Sequence, residues 1–173
     1  MRIAAVSSQR AGELDALFLD LARALRAEGL RPAGFVPAAD ALTDAQGCAM
    51  EMAMEILPEG GRIVMSEPRG PGATGCRMDA GKLEQAALAV EAQIATAGAD
   101  LFLLNKFGQI EAAGRGFVGA ITAALEAELP VIVGVGRSQA PAFAAFAEGL
   151  AEPLPPEPAA LLAWCRAAVA ARG

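Results

Sequence analysis

The apolar pattern changes period several times along this chain, and each change marks an element. Ile3 to Val6 is a continuous apolar run, as in a strand buried on both faces. From Glu13 to Glu28 the residues Leu14, Leu17, Phe18, Leu21, Ala24 and Leu25 recur at helical spacing until Gly29 stops the pattern. "RPAGFV" predicts a second short strand. In "CAMEMAMEIL", Met50, Met52 and Met54 alternate with Glu51, Ala53 and Glu55, the period of a half-exposed strand with one core face. "PEGG" turns the chain and "RIVMSE" supplies the partner strand, so a hairpin is expected at about residues 47–67.

"PRGPGATGCRMDAGK" holds too many glycines and prolines for the interior of an element and reads as a loop, with Asp79 placed to cap the next helix. That helix carries Leu83, Ala86, Ala87, Val90 and Ile94 on one face and runs to Gly98. "ADLFLLNK" does not alternate, so it is expected in the centre of a parallel sheet. After it the pattern predicts a helix from about Phe117 to Glu128, the strand "PVIVGV", a helix around Pro141 to Gly149 and a last helix from Pro158 to Arg172. "EPLPPEP", Glu152 to Pro158, reads as a rigid connector. Alternating strands and helices predict a three-layer α/β fold with a mainly parallel sheet, formed as one domain over residues 1–173 with the hairpin inserted.

Composition narrows the chemistry. With 54% hydrophobic and 20% charged residues the chain can fill one core. A formal charge of −6 argues against a nucleic-acid partner or an anionic membrane surface, so any anionic ligand has to be held locally. "MRIAAV" enters a strand without the charged start and apolar run of a signal peptide, and no apolar stretch approaches a membrane span, so a cytoplasmic location is expected. Cys48, Cys76 and Cys165 are odd in number and lack zinc-like spacing, which favours reduced thiols. The absence of histidine excludes Ser-His and Cys-His catalytic pairs and imidazole metal sites within one chain.

Ligands in open α/β sheets gather at the carboxyl ends of parallel strands, which selects the loops Ser7–Gly12, Asn105–Gly116 and Gly136–Gln139, with Gly70–Asp79 folding over them. Ser7 to Leu14 has the length of the phosphate-binding pattern G-x-x-x-x-G-K-[ST], but only Gly12 matches: Glu13 stands at the lysine and Leu14 at the hydroxyl. Backbone N–H groups at the start of the helix still favour an anion, with Ser7, Ser8, Gln9 and Arg10 as additional donors. In the second loop the strand ends in Asn105 and Lys106, a poor magnesium shell but a suitable pair of donors for an anion. Gly108 and Glu111 follow, and Arg115 lies between Gly114 and Gly116, where backbone can approach a ligand. Cys76 beside Arg77 is a further candidate, either as an inert thiol or as one with a lowered pKa.

The order of a P-loop position, "GFV", a hairpin, a loop, "NKFGQIEAAGRGF" and "PVIVGV" resembles the nucleoside-triphosphatase family first described from thermophiles. In that family the corresponding strand ends in Asp-Glu-Ile-Gly-Lys-Met-Glu; here Gly108 and Glu111 match, while Asn105 and Lys106 replace the two acids. "GCRMD", "NKFGQIEAAGRGF" and "ALLAW" are similar over nearly the whole chain to a bacterial domain family of unknown function, sometimes encoded near molybdate uptake genes. The first resemblance implies a P-loop-type fold. The second suggests molybdate or a molybdenum-cofactor intermediate as ligand. The expectation is a degenerate P-loop-like protein that binds a small anion or nucleotide in an accessory or regulatory role. No intrinsic metal is expected, and a homo-oligomer stays open. Two alternatives stand beside it: a magnesium-dependent nucleoside triphosphatase in which Glu111 positions magnesium or water, and a ligand-free partner-binding protein.

Overall fold

The structure, a computed structural model, describes residues 2–10, 12–39, 52–58, 61–67, 77–96 and 98–172. The elements run β1 (Ile3–Ser7), α1 (Glu13–Ala27), β2 (Pro32–Pro37), β3 (Ala53–Leu57), β4 (Gly61–Val64), β5 (Ser66–Glu67), β6 (Arg77–Met78), α2 (Ala80–Thr96) and β7 (Leu101–Phe107). They continue with α3 (Gln109–Ala112), α4 (Val118–Glu126), β8 (Val131–Val135), a 3-10 turn at Arg137–Gln139, α5 (Ala140–Phe146), β9 (Glu152–Leu154) and α6 (Pro158–Ala170). Strands assemble in the order β4-β3-β2-β7-β8-β1-β9. The strands β2, β7, β8, β1 and β9 run parallel, and β3 and β4 add an antiparallel hairpin at one edge. This is the α/β architecture with an inserted hairpin that the periodicity predicts.

Two apolar layers cover the sheet. On one face α1 and α6 bury Phe18, Leu21, Leu25, Leu161 and Trp164 against Val6, Leu101, Leu103 and Ile132. On the other, α2, α4 and α5 bury Val90, Ile121 and Phe143 against Phe102, Leu104, Val131 and Val133. Adjacent residues of β7 thus serve opposite layers, which is why "LFLL" shows no alternation. Asp79 caps α2 by accepting the Lys82 N–H at 3.1 Å. No helix among the described residues is long and apolar enough to cross a membrane.

Two local readings change. "EPLPPEP" is not only a connector: Glu152–Leu154 forms edge strand β9, paired parallel with Ala4–Val6. Pro153 lacks an N–H but sits on an edge, where a missing donor costs little. The "RIVMSE" strand breaks at Met65, which is fully buried, so Gly61–Val64 pairs with β3 while Ser66–Glu67 pairs with Arg77–Met78. Cys48, Met50 and Glu51, in the first part of the expected strand, lie outside the described residues.

Candidate functional site

At the β1–α1 turn, Gly12 adopts φ 75° and serves as the N-cap of α1 without a side-chain cap. A residue with a side chain would be strained there. The loop's polar groups turn on one another. The Ser8 hydroxyl donates to the Glu13 carboxylate, the Arg10 N–H donates to Ser8 Oγ at 3.0 Å, and the Arg10 guanidinium lies 3.6 Å from Glu13 Oε1. A carboxylate in the first helical turn is favoured by the helix dipole. Glu13 thus satisfies the loop internally, through Ser8 and Arg10. Ser7, Gln9, Arg10 and Gly12 are exposed.

At the end of β7 the ladder to β8 slips. Leu104 pairs with Val133 but Phe107 pairs with Val135, so Asn105 and Lys106 occupy a bulge. Gly134 of β8 makes room for it: a Cβ there would meet the Asn105 carbonyl oxygen at 2.0 Å. The bulge leaves Asn105 buried on the α1 side, where its Nδ2 donates to Asp15 Oδ1 at 2.6 Å. Lys106 is exposed and has no ion-pair partner among the described residues.

Glu111 is buried, 6% exposed, and both its oxygens are engaged. Oε2 accepts the Gly108 N–H at 2.9 Å and Oε1 accepts the Phe117 N–H at 3.2 Å. Glu84 accepts the Gly116 N–H at 3.0 Å. The start of α4 therefore already holds two carboxylates of the protein itself, in the place where the helix dipole would attract an external anion. Gly116 has φ +60°, and a Cβ on it would meet Glu111 Oε1 at 2.4 Å. The backbone at this glycine closely approaches the Glu111 carboxylate. Arg115 is exposed.

A cleft of about 630 Å³ opens at the carboxyl ends of β2, β7 and β8. Of the residues singled out from the sequence, Asn105, Lys106, Gly108 and Glu111 line it; Ser7, Ser8, Gln9, Arg10, Gly12 and Arg115 do not, and Cys76 lies outside the described residues. Gly136, Ser138 and Gln139 join from the β8–α5 turn and Asp15 from the first turn of α1. The apolar wall includes Phe35, Met52, Met54, Met65, Phe107 and Ile110, of which the sequence reading gave the alternating Met52 and Met54 a core face. The alternating methionines were the signal for it, because a strand face at a sheet edge can serve core and cleft together. Cys165, by contrast, is buried under α6, and desolvation pushes its thiol up to about 12, so it is a packing residue.

The fold and sequence have known counterparts. The structure is similar to that of THEP1 from the hyperthermophile Aquifex aeolicus, with a TM-score of 0.57 and 13% identity over 90% of this chain and 88% of that one. It is also similar to the solution structure of a human cancer-related nucleoside triphosphatase, with a TM-score of 0.53 and 17% identity over 79% of this chain and 76% of that one. At those identities the likeness is one of fold, the P-loop NTPase fold. In sequence, 95% of the chain is 34% identical to the molybdenum import ATP-binding protein ModC 2 of Bradyrhizobium diazoefficiens, of which it spans 18% of the length. Residues 3–164 match the model of the protein family of unknown function DUF2478, and the chain belongs to that family.

Proposed function

We propose that this chain is a P-loop-fold domain that has lost the triphosphatase machinery and binds a small anionic ligand or nucleotide in an accessory or regulatory role in the cytoplasm. The observation that carries the reading is the paired rewiring of the two Walker positions. Glu13, at the lysine position, is tied to Ser8 and Arg10, and Asn105, at the magnesium-acid position, is spent on Asp15. A triphosphate seated on this loop would face carboxylates instead of an ammonium, and a magnesium ion would face an amide and Lys106. Glu111, the acid the hydrolytic alternative needs, has both oxygens bound to backbone N–H groups, which weighs against its serving as a base.

The cleft beside this loop supports a binding role, since its volume falls in the range of small-molecule sites and it sits at the carboxyl ends of parallel strands. The relative named as a molybdenum import ATP-binding protein supports a link to molybdate or molybdenum-cofactor metabolism. The test is a thermal-shift screen with ATP, GTP, AMP, GMP, molybdate, tungstate, sulfate and phosphate, with and without magnesium, alongside a phosphate-release assay. A ligand at about 100 times its Kd adds about 2.7 kcal/mol of stability, which moves Tm by about 5–11 °C in a domain of this size. A shift without turnover, lost in Lys106→Ala, is the expected result. Magnesium-dependent phosphate release that disappears in Glu111→Gln would establish the hydrolytic alternative, and no shift with any compound would remove the ligand reading.

A further inference from the structure

The chemistry of the cleft narrows the ligand class, on the assumption that the accessory-ligand reading holds. From its shape and lining we infer that the site takes a small organic anion of nucleoside monophosphate size, a planar heteroaromatic body carrying one anionic group, rather than an inorganic oxyanion or a triphosphate.

Three observations converge. First, about 630 Å³ is the space of an organic ligand; a tetrahedral oxyanion would leave most of it unfilled. Second, the wall is apolar and adaptable. Met52 and Ile110 are half-buried and Met78 is 38% exposed, while Phe35 and Phe107 are buried members of the lining. Thioethers pack well on a flat heterocycle. Third, the polar groups are few and gathered where the β7–α3 and β8–α5 connections meet. Gln109 and Gln139 each offer an amide donor and acceptor for a heterocycle edge, and Ser138 offers a hydroxyl. Lys106 is the one cation among the described lining residues and has no protein partner among them. Asp15 lines the cleft from the first turn of α1, next to the Glu13-filled loop, so a chain of phosphates extended towards α1 meets negative charge, while Lys106 supplies a cation for one anionic group.

The experiment is isothermal titration of the full chain with AMP, GMP, the nucleosides adenosine and guanosine, magnesium ATP, phosphate and molybdate. At least one monophosphate should bind more tightly than its nucleoside, and both more tightly than phosphate or molybdate. Lys106→Ala should weaken the monophosphate by about tenfold or more, the loss of one charge-assisted contact, and leave the nucleoside unchanged. Met52→Ser should weaken nucleoside and monophosphate alike. Molybdate, phosphate or magnesium ATP binding at least as tightly as the monophosphates would overturn this ligand class while leaving the accessory-ligand reading in place. Equal weakening of nucleoside and monophosphate by Lys106→Ala would also overturn it. Absence of binding by every compound would overturn both.

Discussion

Substituting Gly116 by alanine tests whether the Glu111 carboxylate is a structural brace. Gly116 and Gly114 share a left-handed backbone, φ +60° and +76°, but differ in surroundings: a Cβ on Gly114 meets nothing within 4 Å, whereas one on Gly116 meets Glu111 Oε1 at 2.4 Å and Ile110 Cγ2 at 3.0 Å. Gly114→Ala therefore carries only the left-handed penalty, about 1–2 kcal/mol. Gly116→Ala carries the same penalty and also pushes the carboxylate away from the Phe117 N–H that it accepts at 3.2 Å. Losing a hydrogen bond to a charged group adds about 1.5–3 kcal/mol. At about 2–4 °C per kcal/mol for a chain of this length, the two variants should differ in Tm by about 3–12 °C. Urea titrations with equal slopes would show that the difference lies in the native state. Equal losses in the two variants would refute the reasoning. They would mean that the Glu111 carboxylate moves aside freely, and an acid so easily displaced would regain its standing as the magnesium- or water-positioning group of a triphosphatase.

Asn105→Asp restores an acid at the end of β7 but points it at the Asp15 carboxylate, since Nδ2 and Oδ1 are 2.6 Å apart in a site where Asn105 is 4% exposed. It should lower stability at pH 7 by about 1–3 kcal/mol, and Asp15→Asn in the same chain should recover most of the loss in a double-mutant denaturation cycle; additive losses would exclude direct contact. Glu152 accepts from Trp164 Nε1 at 2.7 Å and pairs with Arg2 at 3.2 Å. The Trp164 hydrogen bond foremost holds its carboxyl below the ordinary value of 4.5; burial opposes it as the next largest effect, and the Arg2 hydrogen bond and charge add to the lowering. A lowered folded pKa contributes stability that is present above the unfolded pKa and lost as pH falls through the folded one. The fluorescence of the single tryptophan, followed in acid, should therefore change below pH 4.5, and Glu152→Gln should flatten that change; an identical titration in both proteins would contradict it.

Most of the scaffold was legible because its elements carry strong periods. The helical repeat from Leu14 to Leu25 and the continuous apolar runs at Ile3–Val6, Leu101–Leu104 and Val131–Val135 specify α1, β1, β7 and β8 with little help from context. Elements held by partners rather than by their own pattern escaped. Glu152–Leu154 is three residues with a central proline, and only the open edge of β1 makes it a strand. The break at Met65 follows from burial of that side chain, which no alternation signals.

The site divides along the same line. Sequence alone determined that Glu13 and Leu14 follow Gly12 in the first loop, that Asn105 and Lys106 stand near the end of β7, and that no histidine is available, because these are facts of residue type. Tertiary structure decided what the substituted residues do. Asn105 meets Asp15 across 90 residues of chain through a bulge that Gly134 accommodates, and Glu111 is buried between two backbone amides instead of facing solvent. It also turned the methionine face of a hairpin into one wall of a cleft that holds Lys106 but not Arg10 or Arg115. The physical reason is range: period, capping and turn chemistry act within a few residues, whereas a hydrogen bond or a cavity exists only after distant segments have been packed to within a few ångströms of one another.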